Sequence, residues 1–193
     1  MEKIPGYDAA TPIYGAYKRL PLANYICHIV DVEEMVSKKG NRCLKLAFDV
    51  AEGEQAGFYA EQYKEEQRVN GEEAGWPFSG IYYVNMSNLN RFRGFTYCIE
   101  KSNKGFKWNW NEKALKGMKF AGVFAEETRT NNEGKSYTDV RLAHVYPLDE
   151  FNKLPEAYVK KPKADTPFAG GGYFEAPEFA NPLPPIRDEE IPF

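Results

Sequence analysis

The residues Asp188-Glu189-Glu190-Ile191-Pro192-Phe193 set three carboxylates directly ahead of an apolar Ile-Pro-Phe that closes on an α-carboxylate. An aromatic ring beside a terminal carboxylate suits a pocket that buries the ring and grips the carboxylate with a basic rim. Pro192 stiffens the approach, so less entropy is lost on docking. A second chemistry runs through the middle of the chain, where Lys101, Lys104, Phe106, Lys107, Trp108, Trp110, Lys113, Lys116 and Lys119 interleave rings with cations. Rings can stack on unpaired bases while ammonium groups neutralise the phosphates between them. Phe106 is expected to plug a core; Trp108 and Trp110 are equally suited to stacking and to packing. Trp76, between Gly75 and Pro77, is likewise either a base platform or the anchor of a satellite core.

Catalysis finds little footing. The chain has no Gly-x-x-x-x-Gly-Lys-Ser/Thr loop, and Gly170-Gly171-Gly172 lies in Pro-rich sequence with no helix after it. Neighbouring carboxylates occur at Glu65-Glu66, Glu72-Glu73 and Glu126-Glu127; adjacent residues on a strand point opposite ways, so a pair such as Glu126-Glu127 shares a metal poorly, and most of these are expected on the solvated surface. Two scattered histidines, His28 and His144, do not make a zinc site. Three separated cysteines (Cys27, Cys43, Cys98) indicate a reducing compartment rather than a disulfide framework. No enzyme activity, cofactor or metal is expected. No apolar stretch reaches membrane-spanning length, and Met1 to Leu20 lacks a signal-peptide core. No membrane partner is expected.

The net charge of −3 is unevenly spread. The stretch from Ala164 carries −5, which leaves +2 for residues 1–163, a slightly basic body with an acidic arm. Residues 1–23 are broken by Pro5, Gly6, Pro12, Gly15 and Pro21 and read as an irregular arm. Tyr25 to Val32 is strand-like, and Lys38-Lys39-Gly40-Asn41 offers a turn into Arg42 to Val50, where Leu44, Leu46, Phe48 and Val50 share one face. Glu52 to Gly75 is a polar excursion with room for a short helix. Ile81 to Met86 is a third strand, and Ser87 is placed to cap a helix from Leu89 to Lys101. Gly117 to Glu126 and Tyr137 to Tyr146 add two strands, joined by an Asn- and Gly-containing turn.

This mainly β order, five strands with one helix between the third and fourth, fits the oligonucleotide/oligosaccharide-binding (OB) fold. The expected domain spans 24–151 and includes the mid-chain insertion. A Pro/Gly-rich linker, 152–187, leads to the tip at 188–193, the whole tail disordered with a reach of roughly 30 Å over about 30 residues. Such a barrel binds on its second and third strands and on the loops joining strands one–two and four–five. Those places hold Lys38, Lys39, Arg42 and Lys45, then Tyr83, then Arg129, Lys135 and Tyr137. With Trp76, Lys104, Lys107, Trp108 and Trp110 they are the candidate DNA contacts.

The tip resembles that of bacterial single-stranded-DNA-binding proteins. The body from Leu20 to Leu148 is similar to a family of phage and prophage proteins of Gram-positive hosts, in part described as single-stranded-DNA-binding. The likeness rests on Phe48-Asp49-Val50-Ala51-Glu52-Gly53-Glu54, Gly57-Phe58-Tyr59, Glu100-Lys101-Ser102-Asn103-Lys104-Gly105-Phe106-Lys107-Trp108 and Leu115-Lys116-Gly117. It implies a binder of single-stranded DNA in phage replication or recombination, in the cytoplasm of a bacterial host. It also implies recruitment of a helicase, primase, nuclease or recombinase through Asp188 to Phe193. The insertion departs from the compact body of the cellular proteins, so their tetrameric assembly does not carry over and a homo-oligomer is left open. A protein–protein adaptor and an RNA binder remain as alternatives, because stacking platforms accept either sugar.

Overall fold

Alternation at Leu44, Leu46, Phe48 and Val50 drives the first hairpin, β1 (Tyr25–Val36) and β2 (Arg42–Val50), turned through Gly40 at φ 79°. All four side chains are at most 2% exposed in the computed structural model, which describes residues 18–130 and 136–160. β1 outruns the expected Val32 by four residues. The apolar pattern fades there, but Glu33 to Val36 still pair with β2 through the backbone.

The insertion after β2 contains α1 (Phe58–Asn70) and a short turn of 3-10 helix, Phe78–Gly80, that leads into β3 (Ile81–Asn85). Helix α2 (Leu89–Ser102) follows. Its cap is Asn88, whose side chain accepts from the Arg91 amide, and not the expected Ser87, whose own amide donates to Asn85 Oδ1. Phe92, Phe95 and Ile99 form its buried face, while Leu89 in the first turn is exposed. β4 (Lys119–Thr130) and β5 (Ser136–Tyr146) make a long hairpin. The stretch expected as linker from 152 contains β6 (Tyr158–Val159), parallel to β4. No side-chain pattern announces β6; the Lys160 amide on Glu126 O and the Lys160–Glu127 ion pair fasten it.

The fold is mainly β, with strand order β3-β2-β1-β4-β5 and β6 beside β4. Every pairing except β4–β6 is antiparallel. Among the described residues no backbone ladder joins β3 to β5. Arg141 of β5 reaches across instead, its Nη2 donating to Ile81 O at 3.3 Å and Phe78 O at 3.5 Å. Helix α2 packs on β3, β4 and β5.

The insertion is fastened from beneath. Asp49, on the outward face of β2 yet only 1% exposed, accepts from the amides of Val50, Tyr59 and Ala60 at 2.8, 2.9 and 2.9 Å. It thereby holds the start of α1, where negative charge is favoured by the aligned amides. That latch drives Tyr59 into the core, edge-on to Phe48 at 5.5 Å. Gly80 lets the rings close up: a Cβ there would lie 2.7 Å from Trp76 Nε1 and 2.9 Å from Tyr59 Cγ.

Candidate nucleic-acid interface

On the outward face of the hairpin sheet, strand register sets Lys45 directly between Glu33 of β1 and Tyr83 of β3. The inward turn of Leu44 and Leu46 obliges Lys45 and Tyr83 to face away from the core. Lys45 Nζ lies 3.6 Å from Glu33. Arg42 Nε donates to Glu34 Oε1 at 2.6 Å, between two exposed side chains, and the contact holds the Glu34 carboxyl below its ordinary value. Lys38 and Lys39 are exposed on the turn above them.

A second group gathers where β4 and β5 approach the insertion. Arg129 and Tyr137 face each other across the hairpin, and Tyr137 is 47% exposed. The Arg129 guanidinium lies 5.9 Å from the ring centre of Phe78, and that of Arg141 lies 4.2 Å from it. Arg129 and Lys160 both donate to the Glu127 carboxylate. Burial pushes Glu127 up, but the hydrogen bonds from Lys160 and then Arg129 outweigh it and leave the carboxyl below its ordinary value. Burial, and then the neighbouring Arg129, lower the Arg141 pKa to about 10. Lys135 lies outside the described residues, as do Asp188, Glu189, Glu190, Ile191, Pro192 and Phe193.

The third group lines the start of α2. Phe92, Trp108 and Trp110 form a ring triad, with centres 5.8 Å apart for Phe92–Trp108, 6.0 Å for Phe92–Trp110 and 6.1 Å for Trp108–Trp110. Trp108 is half-buried against the core, and its amide donates to Glu100 Oε1 at 2.9 Å. Trp110 is 71% exposed at φ 65°, a left-handed backbone that a bulky residue adopts only when its surroundings impose it. Lys104 and Lys107 are exposed on the same loop, and Phe106 packs on the core as expected. Trp76 packs on the core too, and its Nε1 donates to Phe48 O at 3.3 Å. Its indole closes the insertion against β2.

The candidate contacts thus fall into three groups. Lys45 and Tyr83 share the outward hairpin face, with Lys38 and Lys39 on its turn and Arg42, in step with Leu44 and Leu46, on the opposite face of β2; Arg129 and Tyr137 share the β4–β5 face; Lys104, Lys107, Trp108 and Trp110 share the loop after α2. Sequence reasoning missed Phe78, Glu127, Arg141 and Lys160. Only the alternation of β5 hinted that Arg141 faces outward, and nothing local says that Phe78 comes to meet it. Among the described residues no group of three or more His, Cys, Asp or Glu is placed to hold a metal ion. No helix among them is long and apolar enough to cross a membrane. Set against known proteins, the chain matches no family model and no curated protein.

Proposed function

We propose that this chain is a non-enzymatic single-stranded-DNA-binding protein on an OB-type barrel. In phage replication or recombination it would cover unpaired strands and recruit enzymes through Asp188 to Phe193. Strand order β3-β2-β1-β4-β5, with α2 between β3 and β4, is the connectivity such a barrel needs. The reach of Arg141 across the β3–β5 gap supports closure of the barrel at that seam. The resemblance of the body to phage proteins and of the tip to cellular binders supplies the setting.

One observation carries the binding function. An outward ring stands beside an outward cation twice, Tyr83 opposite Lys45 and Tyr137 opposite Arg129, at the strands and loop root where an OB barrel takes its ligand. The resident carboxylates Glu33 and Glu34 do not forbid a phosphate. An exposed ion pair is worth about 0–1 kcal/mol, whereas each base stacked on a ring contributes about 1–3 kcal/mol. Stacking therefore outweighs the loss of the resident pairs.

The test is a binding titration of labelled single-stranded DNA with Tyr83→Ala, Tyr137→Ala and Lys45→Gln. Each ring removal should weaken binding by roughly tenfold. Lys45→Gln should reduce the salt slope by about 0.7. Folded variants that all bind like the parent would refute this surface. The adaptor alternative has one observation in its favour: Leu89 and Trp110 are 72% and 71% exposed, and both belong with the Phe92 end of α2.

A further inference from the structure

We infer that Arg129 and Arg141, gathered on the ring of Phe78, form a two-guanidinium seat for a backbone phosphate of the bound strand. In the free protein the Glu127 carboxylate engages Arg129 in the phosphate's place. The inference rests on the single-strand reading above and adds a contact that the mid-chain insertion brings to the barrel.

Two guanidinium groups on one ring repel each other, and Arg129 is one cause of the lowered Arg141 pKa. Arg141 is nonetheless fixed, by the carbonyls of Phe78 and Ile81 and by the ring face at 4.2 Å. Arg129 is turned the other way, with its Nη2 on Glu127. Lys160 grips the second oxygen of that carboxylate, and Arg19 adds a cation nearby through Nη1 to Thr138 O at 3.1 Å. Arg129, Arg141 and Lys160 thus surround Glu127 and its cross-strand neighbour Asp139, a positive excess on one face. A guanidinium fork matches a phosphate in shape, and a half-buried cluster of them suits an anion that arrives with its own charge.

The occupant is a strand phosphate rather than a free anion because the seat is continuous with base platforms. Tyr137 lies across from Arg129, and Ile81, whose carbonyl holds Arg141, is two residues before Tyr83. Phe78 itself is 37% exposed. A strand seated here would pass from the β2–β3 face over the insertion to the β4–β5 hairpin. Phe78 acts as a positioning residue, holding both arginines where one phosphate can meet them.

The experiment measures single-stranded-DNA affinity against salt for the full chain and for Arg129→Gln, Phe78→Leu, Glu127→Gln and the Glu127→Gln/Arg129→Gln double variant. Thermal unfolding checks that each is folded. Arg129→Gln should weaken binding roughly tenfold at low salt and lower the salt slope by about 0.7. Phe78→Leu keeps bulk but loses the ring, and should move affinity and slope in the same direction. Glu127→Gln should bind more tightly than the parent, and the gain should vanish in the double variant, since it acts through Arg129. A parent that binds while Arg129→Gln and Phe78→Leu match it in affinity and slope would overturn the seat and leave the single-strand reading standing. If the parent does not bind the strand but is stabilised by inorganic phosphate in an Arg129-dependent way, the occupant is a small anion and both readings fall.

Discussion

Asp49→Asn should unlatch the insertion while leaving the shape of β2 almost unchanged. The carboxylate is 1% exposed and serves three amides: Oδ1 takes Val50 and Tyr59 at 2.8 and 2.9 Å, and Oδ2 takes Ala60 at 2.9 Å. An asparagine keeps Oδ1 but sets its own N–H₂ against the Ala60 N–H, so one buried charge-assisted bond becomes donor against donor. Losing a hydrogen bond to a charged group costs about 1.5–3 kcal/mol, and the lost charge at the helix start adds about 0.5–1 kcal/mol. The total, about 2–4 kcal/mol, corresponds to a fall in Tm of about 4–16 °C at this chain length. Calorimetry or circular dichroism measures the shift, and hydrogen exchange at Tyr59 and Ala60 shows whether the start of α1 opens first. A variant that melts within about 1 °C of the parent, with those amides still protected, would refute the latch.

Gly80→Ala should cost about 1–3 kcal/mol, because its Cβ would meet Trp76 Nε1 at 2.7 Å and Tyr59 Cγ at 2.9 Å, both ring systems held by the core. Denaturant unfolding with tryptophan fluorescence reads this directly, and an unchanged midpoint contradicts the packing. Acidification should destabilise the fold in two stages. Burial, then Lys160 and Arg91, hold His144 below its ordinary 6.5, so the unfolded chain takes its proton first and stability falls below about pH 6.5. Glu127 is held below its ordinary 4.5, so its contribution is complete above about pH 4.5 and is lost as pH falls through the folded value. Thermal unfolding against pH should lose the first stage in His144→Asn, and a Tm flat from about pH 7 to about pH 5.5 in the parent contradicts the assignment. Removing Ile191-Pro192-Phe193 should leave strand binding intact or slightly stronger, since the stretch from Ala164 carries −5 and competes with phosphate. The same truncation should abolish capture of purified replication or recombination enzymes, and retained capture places that contact on the body.

Where local pattern and fold obey the same rule, the sequence was legible. β2 could be read residue by residue because Leu44, Leu46, Phe48 and Val50 needed only an apolar face to pack on, and the same holds for Phe92, Phe95 and Ile99 of α2. Asp49 could not. It falls on the polar face of β2, and only the arrival of Tyr59 and Ala60 ten residues later buries it. Trp76, between Gly75 and Pro77, suited a base platform and a satellite-core anchor equally in sequence. The structure takes the second course: its indole N–H meets Phe48 O, twenty-eight residues back, through the space that Gly80 leaves. At the candidate site, Lys45 followed from alternation and Tyr83 from the place of the third strand in the expected barrel, and register makes them neighbours. Phe78 and Arg141 are 63 residues apart in sequence, and their meeting depends on how the insertion settles against β5. The tip lies outside the described residues, and its reading rests on its own linear chemistry.

The most direct test of the central claim is fluorescence anisotropy of the full chain with labelled single-stranded DNA, the matching duplex, and RNA of the same sequence, each at low and at high salt. Single-stranded DNA should bind well ahead of duplex, with affinity falling as salt rises at a slope of about −0.7 for each phosphate neutralised and with tryptophan fluorescence quenched if Trp110 stacks. Equal affinity for single strand and duplex, or binding that ignores salt, would contradict a single-strand binder on this surface.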